Sequence, residues 1–95
     1  MTEFAWSEPK NTANRRKHGI SFETAARVFE DPAAVCYADR FEGGEQRWHT
    51  VGLAGDITIV LVAHTVTEEN GNEIIRIISA RKANRRERAL YQAAH

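Results

Sequence analysis

At 95 residues, with 42% apolar and 27% charged side chains, the chain is expected to form one globular domain over residues 1–95 with a modest core. Its 13 Lys and Arg balance 13 Asp and Glu, so a uniformly basic or acidic protein is excluded. No stretch approaches the roughly 18 apolar residues of a membrane span, and Cys36, the only cysteine, rules out an internal disulfide.

Met1-Thr2-Glu3-Phe4 carries no basic leader followed by an apolar run, so no signal peptide is expected and the protein is placed in the cytoplasm. Phe4-Ala5-Trp6 alternates and predicts a short strand. Pro9 stands where a helix can begin. Residues 10–18 are polar nearly all round, with Ala13 the one apolar side chain, which predicts a surface helix with little to bury. Gly19 can take the left-handed conformation that ends it. Ser21 caps a second helix, with Glu23 in its first turn. Phe22, Ala25, Ala26 and Phe29 recur at helical spacing as its buried stripe, and Asp31-Pro32 stops it.

From residue 33 the hydrophobic period changes to two. Ala34 to Ala38 predicts a strand that buries Cys36 as an inert thiol, in keeping with a reducing compartment. Residues 39–45 predict a glycine-bearing turn, Arg47 to Gly52 a strand, and Ala54-Gly55-Asp56 a tight turn. Ile57 to Ala63 is β-branched and apolar on both faces, which predicts a central strand. Asn70-Gly71 is a hairpin signal, and Glu73 to Ser79 is the partner strand. Asn84 and Glu87 have the spacing of a capping box that opens a last helix through Ala89, Leu90 and Tyr91. The order strand, helix, helix, four strands, helix predicts an α+β fold. In it, one antiparallel β-sheet carries two N-terminal helices and one C-terminal helix.

Charge is balanced overall but not locally. Between Arg76 and Arg88 six cations stand against one anion, and Lys10, Arg15, Arg16, Lys17 and His18 form a second basic cluster. The acids gather at Glu42, Glu45, Glu68, Glu69 and Glu73, mostly in predicted turns. A local basic surface on a neutral protein points to a polyanion such as RNA or DNA, although a charge run by itself commonly only solvates a helix. Arg47 and Arg76 lie inside predicted strands. On a period of two, Arg76, Ile78 and Ala80 take one face, and Ile75, Ile77, Ser79 and Arg81 the other. An arginine among apolar neighbours needs an anion, either internal (Glu45 or Glu73) or a substrate phosphate. His18, His49, His64 and His95 show no metal-ligand spacing, so no metal or other cofactor is expected. His49 and His64 read as structural. There is no phosphate-binding loop, dinucleotide fingerprint or nucleophile elbow.

Three spaced sets of residues are more specific. Phe4, Trp6, Lys10, Asn14, Lys17-His18-Gly19, Phe22, Ala25 and Phe29 form the first. Glu45, Arg47 and Gly52 form the second. Arg76-Ile77-Ile78-Ser79-Ala80-Arg81, Ala83 and Glu87-Arg88 form the third. Together they resemble the BrnT family of bacterial toxins, within the wider RelE-like ribonuclease superfamily, over essentially the whole chain. Ser7 departs from the pattern, since the family typically has an acid there, and an exchange of one helix cap for another is expected. The resemblance implies a RelE-like fold and a toxin that cleaves RNA and inhibits translation. It also implies neutralisation by a small BrnA-like antitoxin, whose ribbon-helix-helix part binds DNA and represses the shared operon. Contact with DNA would then be indirect, with two toxins carried on one antitoxin dimer.

A ribonuclease working without metal needs a base for the 2′-hydroxyl, cations for the phosphorane, and an acid for the leaving 5′-oxygen. Matched to the family pattern, Arg76 and Arg81 stabilise the phosphate, and Arg47 is a third cation oriented by Glu45. Lys17 and His18 serve as acid or base or bind phosphate, and their bland reading is a helix end with favourable charge. Arg15, Arg16, Ser79, Lys82 and Arg85 are the remaining RNA-binding candidates. Two other readings use the same basic face: a non-catalytic nucleic-acid-binding domain and a pure protein-interaction domain. No strand carries a pair of stacking aromatics, which counts against the first of these.

Overall fold

In the computed structural model, which describes residues 1–55 and 58–93, strand β1 (Thr2–Ala5) is followed by helices α1 (Glu8–His18) and α2 (Phe22–Ala26). A single 3₁₀ turn (Arg27–Glu30) then leads into β2 (Val35–Glu42), β3 (Glu45–Leu53), β4 (Ile59–Glu69), β5 (Asn72–Lys82) and helix α3 (Arg85–Ala93). The predicted turn residue Asp56, the strand residue Ile57 and His95 lie outside the described residues.

The five strands form one sheet in the order β1-β5-β4-β3-β2, so the apolar β4 is central, as its composition requires. The expected α+β class holds, with one difference. β1 pairs parallel with β5, Ala5 opposite Arg76, because two helices separate it from the strands that follow by tight turns. β2 to β5 are antiparallel. β2 runs further than its apolar residues suggest, to Glu42, and the turn shrinks to Gly43-Gly44 with φ of 60° and 80°. The β4–β5 turn sits on Asn70 and Gly71, at φ 52° and 81°, the left-handed pair a two-residue hairpin needs.

Helix ends follow the chemistry of their residues. Ser7 accepts a hydrogen bond from the Lys10 N–H, so it caps α1 in place of an acid. Gly19 closes α1 at φ 74°, and Ser21 caps α2 by accepting from Thr24 N at 3.0 Å. Asn84 and Glu87 form the reciprocal box at the start of α3, at 2.8 and 2.9 Å.

Two apolar clusters lie on opposite faces of the sheet. Val60 and Val62 pack with Ile75, Ile77 and Ala80 under Phe22, Ala25 and Val28 on the first face. Leu61, between the two valines, packs with Val51, Ala83 and Tyr91 on the second face, which α3 covers at one end.

Two expectations are overturned here. Cys36 is exposed, not buried: β2 is an outer strand, and only Val35 and Tyr37, on the face opposite Cys36, are partly covered. Helix α1 is not a helix with little to bury. It buries Asn11 and Asn14 and leaves Ala13 exposed. Asn11 accepts from Phe22 N at 2.8 Å and donates to Glu23 at 2.9 Å. Asn14 donates to the carbonyls of Ile20 and Ala80, both at 2.8 Å, and accepts from Ala80 N at 3.1 Å. A polar helix docks because its buried amides are saturated.

His64 is the buried histidine of the first face, 1% exposed. Its Nε2 lies 2.8 Å from Thr50 Oγ1, and its ring meets Phe29 edge-on at 5.0 Å. Burial pushes its pKa below the ordinary histidine value. The unfolded chain takes up this proton near pH 6.5 and the folded chain only at lower pH, so acidification favours the unfolded state. Stability is expected to fall as pH drops below about 6.5, by more in the native protein than in His64→Gln. Urea unfolding at pH 7.5 and 5.5 measures this, and equal pH dependence in the two proteins would contradict it.

Candidate functional site

The second face carries the charge. Tyr37 on β2 pairs with His49 on β3, which pairs with Ala63 on β4, which pairs with Ser79 on β5. This row of four has a small-residue floor at Ala63 and Ser79. On one side of it, Arg76 lies opposite Thr65. Continuing the Trp48–His64 register by one residue puts Arg47 on the other flank of Thr65. At the spacing of neighbouring strands the two arginine backbones are roughly 10 Å apart. On the other side of the row, Arg81 lies opposite Leu61, which lies opposite Val51. The result is a trough with Arg47 and Arg76 along one bank and Arg81 with α3 along the other.

A β-bulge makes this possible. Ala63 pairs with Ser79 but His64 pairs with Ile77, so β5 has one extra residue, Ile78. Ile75 and Ile77 before the bulge and Ala80 after it all enter the first-face core. The strict alternation expected of β5 is therefore wrong, and Arg76 and Arg81, predicted on opposite faces, share the second one.

The three arginines differ in how far the protein neutralises them. Arg76 is exposed, and its side chain has no hydrogen bond or ion pair among the described residues. Glu73, a candidate partner, instead accepts from Thr2 at 3.3 Å. Arg47 is half-buried. Its Nη2 is 3.5 Å from Glu42, not Glu45, and its Nε is buried without a partner. Glu45 sits exposed beside the turn, paired across the strands with Glu42, and makes no ion pair with Arg47 among the described residues. Arg81 is held in a two-pronged pair with Glu87, at 2.7 and 2.8 Å. That pair holds the Glu87 carboxyl below its usual range, and it ties the end of β5 to the first turn of α3.

Between the sheet and α3 opens a cleft of about 430 Å³ lined by Tyr37, His49, Arg86, Glu87 and Leu90. The Tyr37 and His49 rings meet edge-on with centroids 5.4 Å apart. His49 Nε2 lies 3.4 Å from Asp39 Oδ2. Burial first, and the negative charge of Glu87 second, raise the Tyr37 pKa, so its phenol stays protonated. Sequence reasoning did not single out Tyr37, Asp39 or Arg86, and it read His49 as structural. Their association depends on a strand register that no local pattern encodes.

The other predicted residues fall elsewhere. Arg15, Arg16 and Lys17 are exposed on the last turn of α1, and His18 is half-buried there. None of them makes a hydrogen bond or ion pair with a trough residue among the described residues. Arg85 is exposed at the first position of α3, and Lys82, opposite Val60, sits at the end of β5 on the first-face side. Among the described residues no three His, Cys, Asp or Glu side chains are grouped to hold a metal ion. No described helix is long and apolar enough to cross a membrane.

The family model described as "Ribonuclease toxin, BrnT, of type II toxin-antitoxin system" matches residues 6–87. The crystal structure of the ribonuclease toxin BrnT of Brucella abortus is similar in fold, with a TM-score of 0.65 at 22% sequence identity over 90% of this chain and 99% of that one. No curated protein sequence matches.

Proposed function

The chain belongs to the BrnT family of ribonuclease toxins of type II toxin–antitoxin systems, and from that premise we propose a metal-independent endoribonuclease whose active site is the trough of the second sheet face. The observation that carries the reading is the placing of Arg47, Arg76 and Arg81 around the small floor of Ala63 and Ser79. A guanidinium fork matches phosphate oxygens and stays charged at every physiological pH. Cations fixed before the reaction stabilise the phosphorane without reorganising during it. The floor leaves room for a ribose-phosphate, and Ser79 can donate a hydrogen bond to it. Arg15, Arg16, Lys17, Lys82 and Arg85 extend the attraction to the RNA backbone beyond the trough, which makes binding strongly salt-dependent. The arginines are the cations that the trough itself supplies.

RNA cleavage by a cytoplasmic toxin stops translation, and the cell must silence it. A BrnA-like ribbon-helix-helix antitoxin would do so by laying acids and apolar anchors over the trough and α3, two toxins per antitoxin dimer. Expression without antitoxin is expected to arrest growth and degrade RNA. Purified protein should cleave RNA equally well with and without EDTA. Normal growth at confirmed soluble expression would remove the ribonuclease reading, and EDTA inhibition would remove its metal independence.

A further inference from the structure

Resting on that reading, we propose that His49, oriented by Asp39, is the general base of RNA cleavage and that Tyr37 is its general acid. The three arginines supply charge but cannot exchange a proton at neutral pH. The step needs a group that gains a proton and one that gives it up. His49 and Tyr37 lie at the end of the row whose other members, Ala63 and Ser79, floor the trough. Both also line the cleft under α3.

The ring nitrogens of His49 are distinguished by their surroundings. Nε2 faces Asp39 at 3.4 Å, so the carboxylate favours the tautomer with its proton there and leaves Nδ1 as the basic nitrogen. Asp39 does not touch the substrate in this scheme and is a positioning residue. It also stands 4.0 Å from Arg40. The other groups facing His49 are Tyr37 on β2 and Arg86 and Glu87 on α3, and Arg81 on β5 acts on the neighbouring Tyr37. Arg47 shares its strand and face, and His64 lies on the reverse side of the sheet. This set holds cations and anions together.

The balance closes within these residues. The 2′-hydroxyl proton passes to His49 Nδ1 as O2′ bonds to phosphorus. The P–O5′ bond breaks, and its electron pair on O5′ takes the Tyr37 phenol proton. The products are a 2′,3′-cyclic phosphate and a 5′-hydroxyl end. Net transfer of one proton through water, from His49 to the Tyr37 phenolate, restores both groups. A phenol kept protonated by burial and by Glu87 suits the acid role, because the alkoxide it meets is a far stronger base.

The test uses full-length protein and an RNA oligonucleotide cut by the wild type, made with either oxygen or sulfur at the bridging 5′ position. A thiolate leaves without a proton, so sulfur removes the need for the acid only. His49→Gln is expected to cleave both substrates about 10²–10⁴-fold more slowly and to lose the acidic limb of the pH–rate profile. Tyr37→Phe should be slow on the oxygen substrate and return to near the wild-type rate on the sulfur one. Asp39→Asn, on an exposed residue, should shift the acidic limb while the protein stays folded, which keeps the test valid if His49→Gln misfolds. Wild-type rates and an unchanged pH profile in folded His49→Gln would overturn the base, and failure of sulfur to rescue Tyr37→Phe would overturn the acid. A wild-type protein that does not cleave RNA removes the ribonuclease reading itself.

Discussion

Arg76→Ala is expected to lower the rate of RNA cleavage by about 10²–10³-fold while leaving thermal stability almost unchanged. The two parts of this result come from one fact. Arg76 is exposed, faces the trough, and its guanidinium is engaged by no hydrogen bond or ion pair among the described residues. Its removal therefore strands no internal partner, and a surface substitution of that kind moves stability by no more than about 0.5 kcal/mol. Its charge is fully available to a phosphate, so its contribution to the transition state is lost entirely. Arg76→Lys should recover only part of the rate, because a point charge does not reproduce the two-pronged match to phosphate oxygens. Single-turnover cleavage and a melting curve on the same samples measure both halves. A folded Arg76→Ala protein with the wild-type rate would show that the phosphate does not sit between Arg47 and Arg76.

Arg81 makes the contrast. Its fork is already filled by Glu87, and Glu87 is at the same time the residue that caps Asn84 N. Truncating Arg81 leaves a half-buried carboxylate without its partner and loosens the joint between β5 and α3. Lost cleavage in that variant therefore mixes chemistry with structure. Read on a strict period of two, the sequence puts the two arginines on opposite faces of β5, and the structure reverses this by placing both on the second face.

That reversal shows what a sequence of this kind does and does not disclose. The helix caps at Ser7, Ser21 and Asn84, the left-handed Gly19 and the Asn70-Gly71 hairpin are local, and each is legible in a few adjacent residues. The central place of β4 is legible too, since only a strand covered on both faces is apolar throughout. The parallel pairing of β1 is not, because it depends on where two intervening helices return the chain. The single extra residue at Ile78 has no compositional mark, yet it decides which face Arg81 takes. The trough inherits this limit. Arg47, Arg76 and Arg81 stood out as charges in strands, but Tyr37, Asp39 and His49 become neighbours only through the β2–β3 register. Asn14 was matched as part of a family pattern, on a helix read as having almost nothing to bury.

Asn14→Ala is expected to be the most destabilising single truncation of a polar residue in the protein. Asn14 is 7% exposed and satisfies three backbone groups at once, the carbonyls of Ile20 and Ala80 and the N–H of Ala80. The position of Ala80 explains why these matter. β1 pairs with β5 only as far as Arg76, so beyond that point the outer edge of β5 has no strand beside it. Asn14 stands in for one, offering a donor and an acceptor as a neighbouring peptide would. Each buried backbone group left unpaired costs about 1–3 kcal/mol. With partial relaxation the variant should lose about 3 kcal/mol of a total stability of about 5–15 kcal/mol. In a domain of this size that lowers the melting temperature by more than about 10 °C. Asn14→Leu should fare no better, because an apolar side chain of similar volume leaves the same three groups unpaired. Asn14→Asp keeps the acceptor for Ala80 N but turns a charge toward two carbonyls, so it should be destabilised as well. A bare edge also templates pairing with another chain, so the variants are expected to aggregate on heating where the native protein does not. Urea denaturation with light scattering measures both effects. A loss below about 1 kcal/mol in Asn14→Ala would mean that water replaces the amide at little cost and that apolar packing alone holds α1 in place.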